Sequence, residues 1–128
     1  TWDFRKVVHG EFLTWSDEYL ELPMHEIHAR SAGGDLEVLL NETDGASWIF
    51  RRDRRITYPL ETFIRFTEAG LPYLTPEIVL LYKAKNTREK DHKDLMSVKD
   101  SLGLEQQQWL KRAISIHEPT HEWLQVLK

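Results

Sequence analysis

Apolar and polar residues alternate along the first half of the chain and recur three and four apart along the last part. Phe4–Val8 and Glu11–Trp15 are short strand-like runs separated by Gly10. Leu20, Leu22 and Met24 alternate with Tyr19, Glu21 and Pro23, the two-residue period of a half-buried strand. Pro23 has no N–H to donate, which puts that stretch at a sheet edge or splits it in two. His25–Arg30 continues to the turn signal Ser31-Ala32-Gly33-Gly34, and Asp35–Glu42 returns with Leu36, Val38 and Leu40 on one face. A hairpin is the simplest arrangement. Asp44-Gly45 makes the next turn, and Trp48-Ile49-Phe50 and Ile56-Thr57-Tyr58 are strand-like. Residues 60–74 follow no clear period, with Gly70 and Pro72 marking a loop.

From Thr75 the period becomes helical. Thr75-Pro76-Glu77 offers an N-cap, a proline at the first helical position and a carboxylate in the first turn. Ile78, Leu81, Tyr82 and Lys85 share a stripe. A second helix is expected from Arg88 to Leu102 with Gly103 as its C-cap, and a third over Glu105–Ile116 burying Trp109, Leu110, Ala113 and Ile114. Pro119 and Thr120 lead to a terminal turn with Trp123, Leu124 and Leu127. The expected fold is α+β: a mixed or antiparallel sheet, then a bundle of about three helices. One domain is expected over residues 1–128, strand-rich over 1–58 and helical over 75–128.

Composition changes this picture little. The 128 residues suffice for a core without disulfides, and the absence of cysteine removes thiolate and zinc–cysteine chemistry. A net charge of −4 disfavours a nucleic-acid binder, and the longest apolar run, Ile78–Leu81, is too short for a membrane span. Nothing at the N-terminus reads as a signal peptide, so the expected location is cytoplasmic. The chain opens on Thr1 and runs into Trp2-Asp3-Phe4, which reads as a cut inside a longer protein.

Three clusters are candidates for chemistry. If the Ser31–Gly34 loop closes the hairpin, Arg30 opposes Asp35 and His28 opposes Glu37 on one face. Glu37 is then either one ligand of a divalent metal or half of a cross-strand His–Glu pair. The run Arg51-Arg52-Asp53-Arg54-Arg55 would bind phosphates bidentately, although a solvated hairpin with Asp53 dividing the charge is the simpler reading. Asp91 lies four and seven residues before Leu95 and Val98, on their inward stripe, and a buried carboxylate there requires a cation. Lys85 and Arg88 are the natural partners, and Lys83 or Lys85 would be left to face a cleft as a phosphate-binding cation. His25-Glu26-Ile27-His28 lacks the spacing of a helical zinc motif and is rejected.

The order Asp35-Leu36-Glu37-Val38-Leu39-Leu40-Asn41-Glu42, Trp48-Ile49-Phe50-Arg51-Arg52-Asp53, Pro72–Lys85 and Arg88–Asp94 resembles bacterial nucleotidyltransferases of the polymerase-β-type superfamily, in particular the aminoglycoside 2''-adenylyltransferase-like group. The resemblance runs over nearly the whole chain, through Trp109-Leu110 and His121-Glu122-Trp123-Leu124. It implies magnesium-dependent transfer of a nucleoside monophosphate from a nucleotide triphosphate to a hydroxyl of a small molecule. Under it, Glu37 is the third metal carboxylate, and Lys83, Lys85, Arg51 and Arg52 contact phosphate or acceptor. Asp91 and Arg88 form a structural ion pair. The glycine-helix and Asp-x-Asp motifs of that family are not in these residues, so the resemblance is to a C-terminal portion, inactive alone. The alternative is a binding module that keeps the fold without the chemistry and self-associates through exposed strand edges.

Overall fold

The computed structural model describes residues 1–16, 18–22 and 24–128, and these form an α+β protein. The chain divides into two compact units, Thr1–Glu42 and Thr43–Lys128, where the sequence pattern suggests one domain.

The first unit is a four-stranded antiparallel sheet in the order β2-β1-β3-β4, from β1 (Asp3–Val8), β2 (Glu11–Thr14), β3 (Glu26–Ser31) and β4 (Gly34–Leu39). His9 (φ +50°) and Gly10 (φ +81°) form the two-residue left-handed turn that matches strand twist in a tight hairpin. β3 and β4 pair with Arg30 opposite Asp35 and His28 opposite Glu37, the register expected from the turn. Ser31 pairs with Gly34, so only Ala32 and Gly33 lie outside the ladder. Cross-strand partners share a face, so Arg5, His28 and Glu37 line one side, and Lys6, Ile27 and Val38 the other. Ile27 and Ala29 are the buried residues of this unit.

Among the described residues of the strand expected over 19–24, none is in a strand. Pro23 lies outside the described residues. The Met24 N–H turns back to the Glu21 carbonyl at 2.9 Å, and Tyr19 and Leu22 are exposed.

The second unit carries the main core. β5 (Glu42–Asp44), β6 (Ser47–Ile49) and β7 (Thr57–Pro59) form a three-stranded sheet. Residues 60–74 resolve into the short helix α1 (Leu60–Phe63) and a hairpin of β8 (Ile64–Phe66) and β9 (Pro72–Leu74). Then come α2 (Pro76–Lys83), α3 (Glu89–Val98) and α4 (Leu104–His117), with 3-10 turns at Lys99–Ser101 and Glu122–Gln125. Trp48, Phe50, Ile78, Leu81, Leu95, Leu110, Ile114 and Trp123 pack into one apolar cluster, while Trp109 packs half-buried against it.

Two cap assignments change. The Thr75 hydroxyl donates to the Thr62 carbonyl at 2.6 Å instead of capping α2. Gly103 does not end α3. With φ −62° and ψ 159° it is the N-cap of α4, and its N–H donates to Gln106 Oε1 at 2.8 Å. The chain leaves α3 through the 3-10 turn and an extended Leu102, so no left-handed C-cap is needed.

Leu110 has no exposed surface, and Leu110→Ala is expected to cost about 2–5 kcal/mol in a urea unfolding titration. Met96→Ala, at an exposed position on α3, should stay within about 0.5 kcal/mol of the native chain.

Candidate functional site

On the polar face of the first unit, Glu37 stands on β4 with its side chain 63 % exposed, and His28 Nδ1 lies 3.6 Å from its carboxylate. His28 Nε2 lies 3.4 Å from Glu26, and Phe12 packs edge-on against the same ring. Arg30 pairs with Asp35 at 3.2 Å and Arg5 with Asp3 at 3.1 Å. Asp3, Arg5, Phe12, His28, Arg30, Asp35 and Glu37 border a surface depression of about 340 Å³. A cross-strand pair this exposed is worth about 0.2–1 kcal/mol.

Among the described residues, no group of three or more His, Asp or Glu side chains could hold a metal ion. Magnesium takes a near-octahedral shell of oxygens. Glu37 offers one carboxylate beside an imidazole, and Asp35 is engaged by Arg30. The residues present therefore do not by themselves form the magnesium site that the resemblance implies.

The predicted cations belong to the second unit. Residues 51–55 are the loop between β6 and β7, closed by Phe50 N–H to the Ile56 carbonyl at 2.9 Å. Arg52 Nη1 donates to the Tyr82 carbonyl at 3.1 Å, near the end of α2, and its guanidinium lies 5.2 Å from the Tyr82 ring centroid. Arg55 reaches the Ile116 carbonyl at the end of α4 at 3.1 Å, held bidentately by Asp53 at 2.9 and 2.6 Å. The Arg55 guanidinium lowers the Asp53 carboxyl to about 2. Cations at helix C-termini offset the partial negative charge there. Part of this basic run thus holds the fold. Arg51 is partly buried in the same loop.

Asp91 is buried on the inward stripe, as its spacing from Leu95 predicts. It accepts from the Arg88 backbone N–H at 2.9 Å and from Arg88 Nε at 3.0 Å. The second cation is Lys83, 3.3 Å from Asp91 and 2.7 Å from Asp94. Lys85 is not that partner: α2 ends at Lys83, the chain turns through Asn86 (φ +54°), and Lys85 sits exposed in the turn. Arg88, chiefly, holds the Asp91 carboxyl far below the usual carboxylate range. Lys83 thus has a structural use that its phosphate-binding assignment did not anticipate.

A further cluster escaped the sequence reading. Glu77, with no exposed surface, accepts from Tyr58 OH at 2.5 Å and from Gln106 Nε2 at 3.0 Å, with Arg65 Nη2 at 3.9 Å. Burial, then the hydrogen bond to Glu77, raises the Tyr58 phenol above its ordinary value. Tyr58, Arg65, Glu77, Glu105, Gln106, Trp109 and Arg112 are among the residues lining a concavity of about 440 Å³. Two guanidinium groups and two carboxylates balance there, and the floor atoms satisfy one another. A signal was present: Glu77 precedes Leu81 and Ala84 by four and seven residues, the same inward spacing that marked Asp91.

No helix among the described residues is long and apolar enough to cross a membrane. No family model, curated protein or solved structure matches this chain.

Gln106→Glu keeps the acceptor for Gly103 N–H but sets a second carboxylate against Glu77. It is expected to cost about 2–4 kcal/mol at neutral pH. In unfolding titrations the deficit should narrow as pH approaches about 4, where the added charge is neutralised. The Tyr58 contribution is full below about pH 10, the unfolded phenol value, and is lost as pH rises through the higher folded value. An absorbance titration of the native chain against Tyr58→Phe should assign to Tyr58 an ionisation above about pH 10.

Proposed function

We propose that these residues are the C-terminal part of a nucleotidyltransferase-like protein acting in the cytoplasm. The complete protein would transfer a nucleoside monophosphate from a nucleotide triphosphate to a hydroxyl of a small molecule, with release of pyrophosphate, and this part alone would be inactive. The observation that carries the reading is Glu37: an exposed carboxylate on a hydrogen-bonded strand, beside a depression bordered by Arg5 and Arg30. The matching segments also fall on defined elements. Asp35–Glu42 covers most of β4, Trp48–Asp53 the β6 end and its loop, and Pro72–Lys85 β9 and α2. The two further carboxylates belong to an Asp-x-Asp that these 128 residues do not contain. Lys85, exposed in the turn after α2, keeps the role at phosphate or acceptor that the resemblance gives it.

A second reading, a non-catalytic module that self-associates, draws on the outer edges of β2 and β4. No strand of the sheet covers them, and Leu13, Leu36 and Val38 are exposed there. Asp35 and Glu37 on β4 oppose direct pairing of two such edges.

The intact mass of the protein in its own host should lie well above 15.2 kDa. Magnesium-ATP should bind that longer polypeptide in a calorimetric titration and should not bind the 128-residue chain. Glu37→Ala in the longer form should weaken binding by about tenfold or more, the loss of one charged ligand. Unchanged affinity in that variant would remove Glu37 from the metal set. A host mass near 15.2 kDa, with a dimer in sedimentation, would favour the second reading.

A further inference from the structure

Trp123 sits in the 3-10 turn Glu122–Gln125 with 2 % of its surface exposed. It carries two N–H groups, and each ends on an imidazole. The backbone N–H donates to His121 Nδ1 at 3.0 Å, and the indole Nε1–H to His92 Nδ1 at 2.9 Å. An amide or indole N–H can only donate, so both Nδ1 atoms must accept, and each neutral ring carries its hydrogen on Nε2. Those hydrogens also have acceptors. His121 Nε2 lies 2.9 Å from Thr87 Oγ1, whose own hydrogen goes to the Lys83 or Ala84 carbonyl at 2.9 or 3.0 Å. His92 Nε2 lies 3.2 Å from Glu122. The two rings are thereby set in one tautomer by partners on the turn after α2 and on the C-terminal turn.

We propose that His92 and His121 form an acid-released latch on Trp123. A proton on either Nδ1 sets a donor against a donor. The turn then loses its attachment, and Trp123 and Leu127, both buried, come away from the helices.

The charges facing His121 do not oppose this. Glu118, beyond the end of α4, and Glu122 on the turn favour the imidazolium, while His92 on α3 disfavours it. Lys83 and Arg88, cations of α2 and of the start of α3, are held by Asp91 and Asp94. Burial outweighs the carboxylates and lowers the His121 pKa below its ordinary value. The unfolded chain therefore binds this proton more tightly than the folded one. The latch is fully stabilising above the unfolded value of about 6.5 and is lost as pH falls through the lower folded value.

Nitrogen-detected NMR of the imidazoles at about pH 7.5 should show unprotonated Nδ1 on both rings. Protonation of Nδ1 on either ring at that pH would overturn the proposal. Between about pH 7.5 and 5, protection of the Trp123 backbone N–H, which His121 accepts, should fall by about tenfold or more, corrected for intrinsic rates. Undiminished protection also overturns it. The double variant His92→Asn/His121→Asn keeps an acceptor near each Nδ1 position, retains an N-cap residue and cannot titrate. Its protection should stay level over the same range, and a fall matching the native chain would show that other groups open the turn. Should the variant not fold, the native tautomers and exchange profile still decide.

Discussion

The Glu77 carboxylate has no exposed surface, and the second unit is arranged around the need to satisfy it. It enters at the start of α2, and its donors arrive from β7 as Tyr58 and from α4 as Gln106, with Arg65 on β8 nearby. An unpaired charge at such a position costs several kcal/mol, and a partly satisfied polar network is worse than an apolar one. The donors therefore have to be present together. That requirement ties α4 to α2 through Gln106 and the Tyr58 side chain of β7 to α2. Its contribution is to specificity as much as to stability, since apolar packing alone permits sliding between helices.

The same economy governs the helix ends. Gln106 accepts from Gly103 N–H with its oxygen and donates to Glu77 with its nitrogen, so one amide both starts α4 and ties it to α2. Asp91 does the corresponding work at the start of α3 and draws Lys83 from α2 to it. Arg52 and Arg55 reach carbonyls near the C-termini of α2 and α4. A run of four arginines in an acidic chain looks like a docking surface, yet at least two of them are anchored to the helices. In the first unit Arg30–Asp35, Arg5–Asp3 and His28–Glu37 pair along an exposed sheet face.

Much of the local structure was legible in the residues. The glycine-rich turn and the two-residue period set the β3–β4 register, including His28 opposite Glu37. The helical period located α2, α3 and α4 to within a few residues and put Asp91 inside. These features are short-range: turn chemistry and side-chain periodicity act over neighbours that any conformation of the segment shares.

What the tertiary structure decided are the choices among equal local options. Residues 19–24 alternate as well as any strand here, yet none of those described is in a strand. Lys83 and Lys85 are equally charged and two residues apart, and where α2 ends selects one for Asp91. Gly103 fits a C-cap or an N-cap, and the extended exit from α3 makes it the latter. Glu77 carries the same spacing signal as Asp91, but its donors lie 19 and 29 residues away in sequence. The sequence by itself determined the β3–β4 hairpin, the three main helices and their apolar faces. Only the packed structure decided which distant partners those buried polar groups take, because burying a charge is favourable only where its distant partners converge.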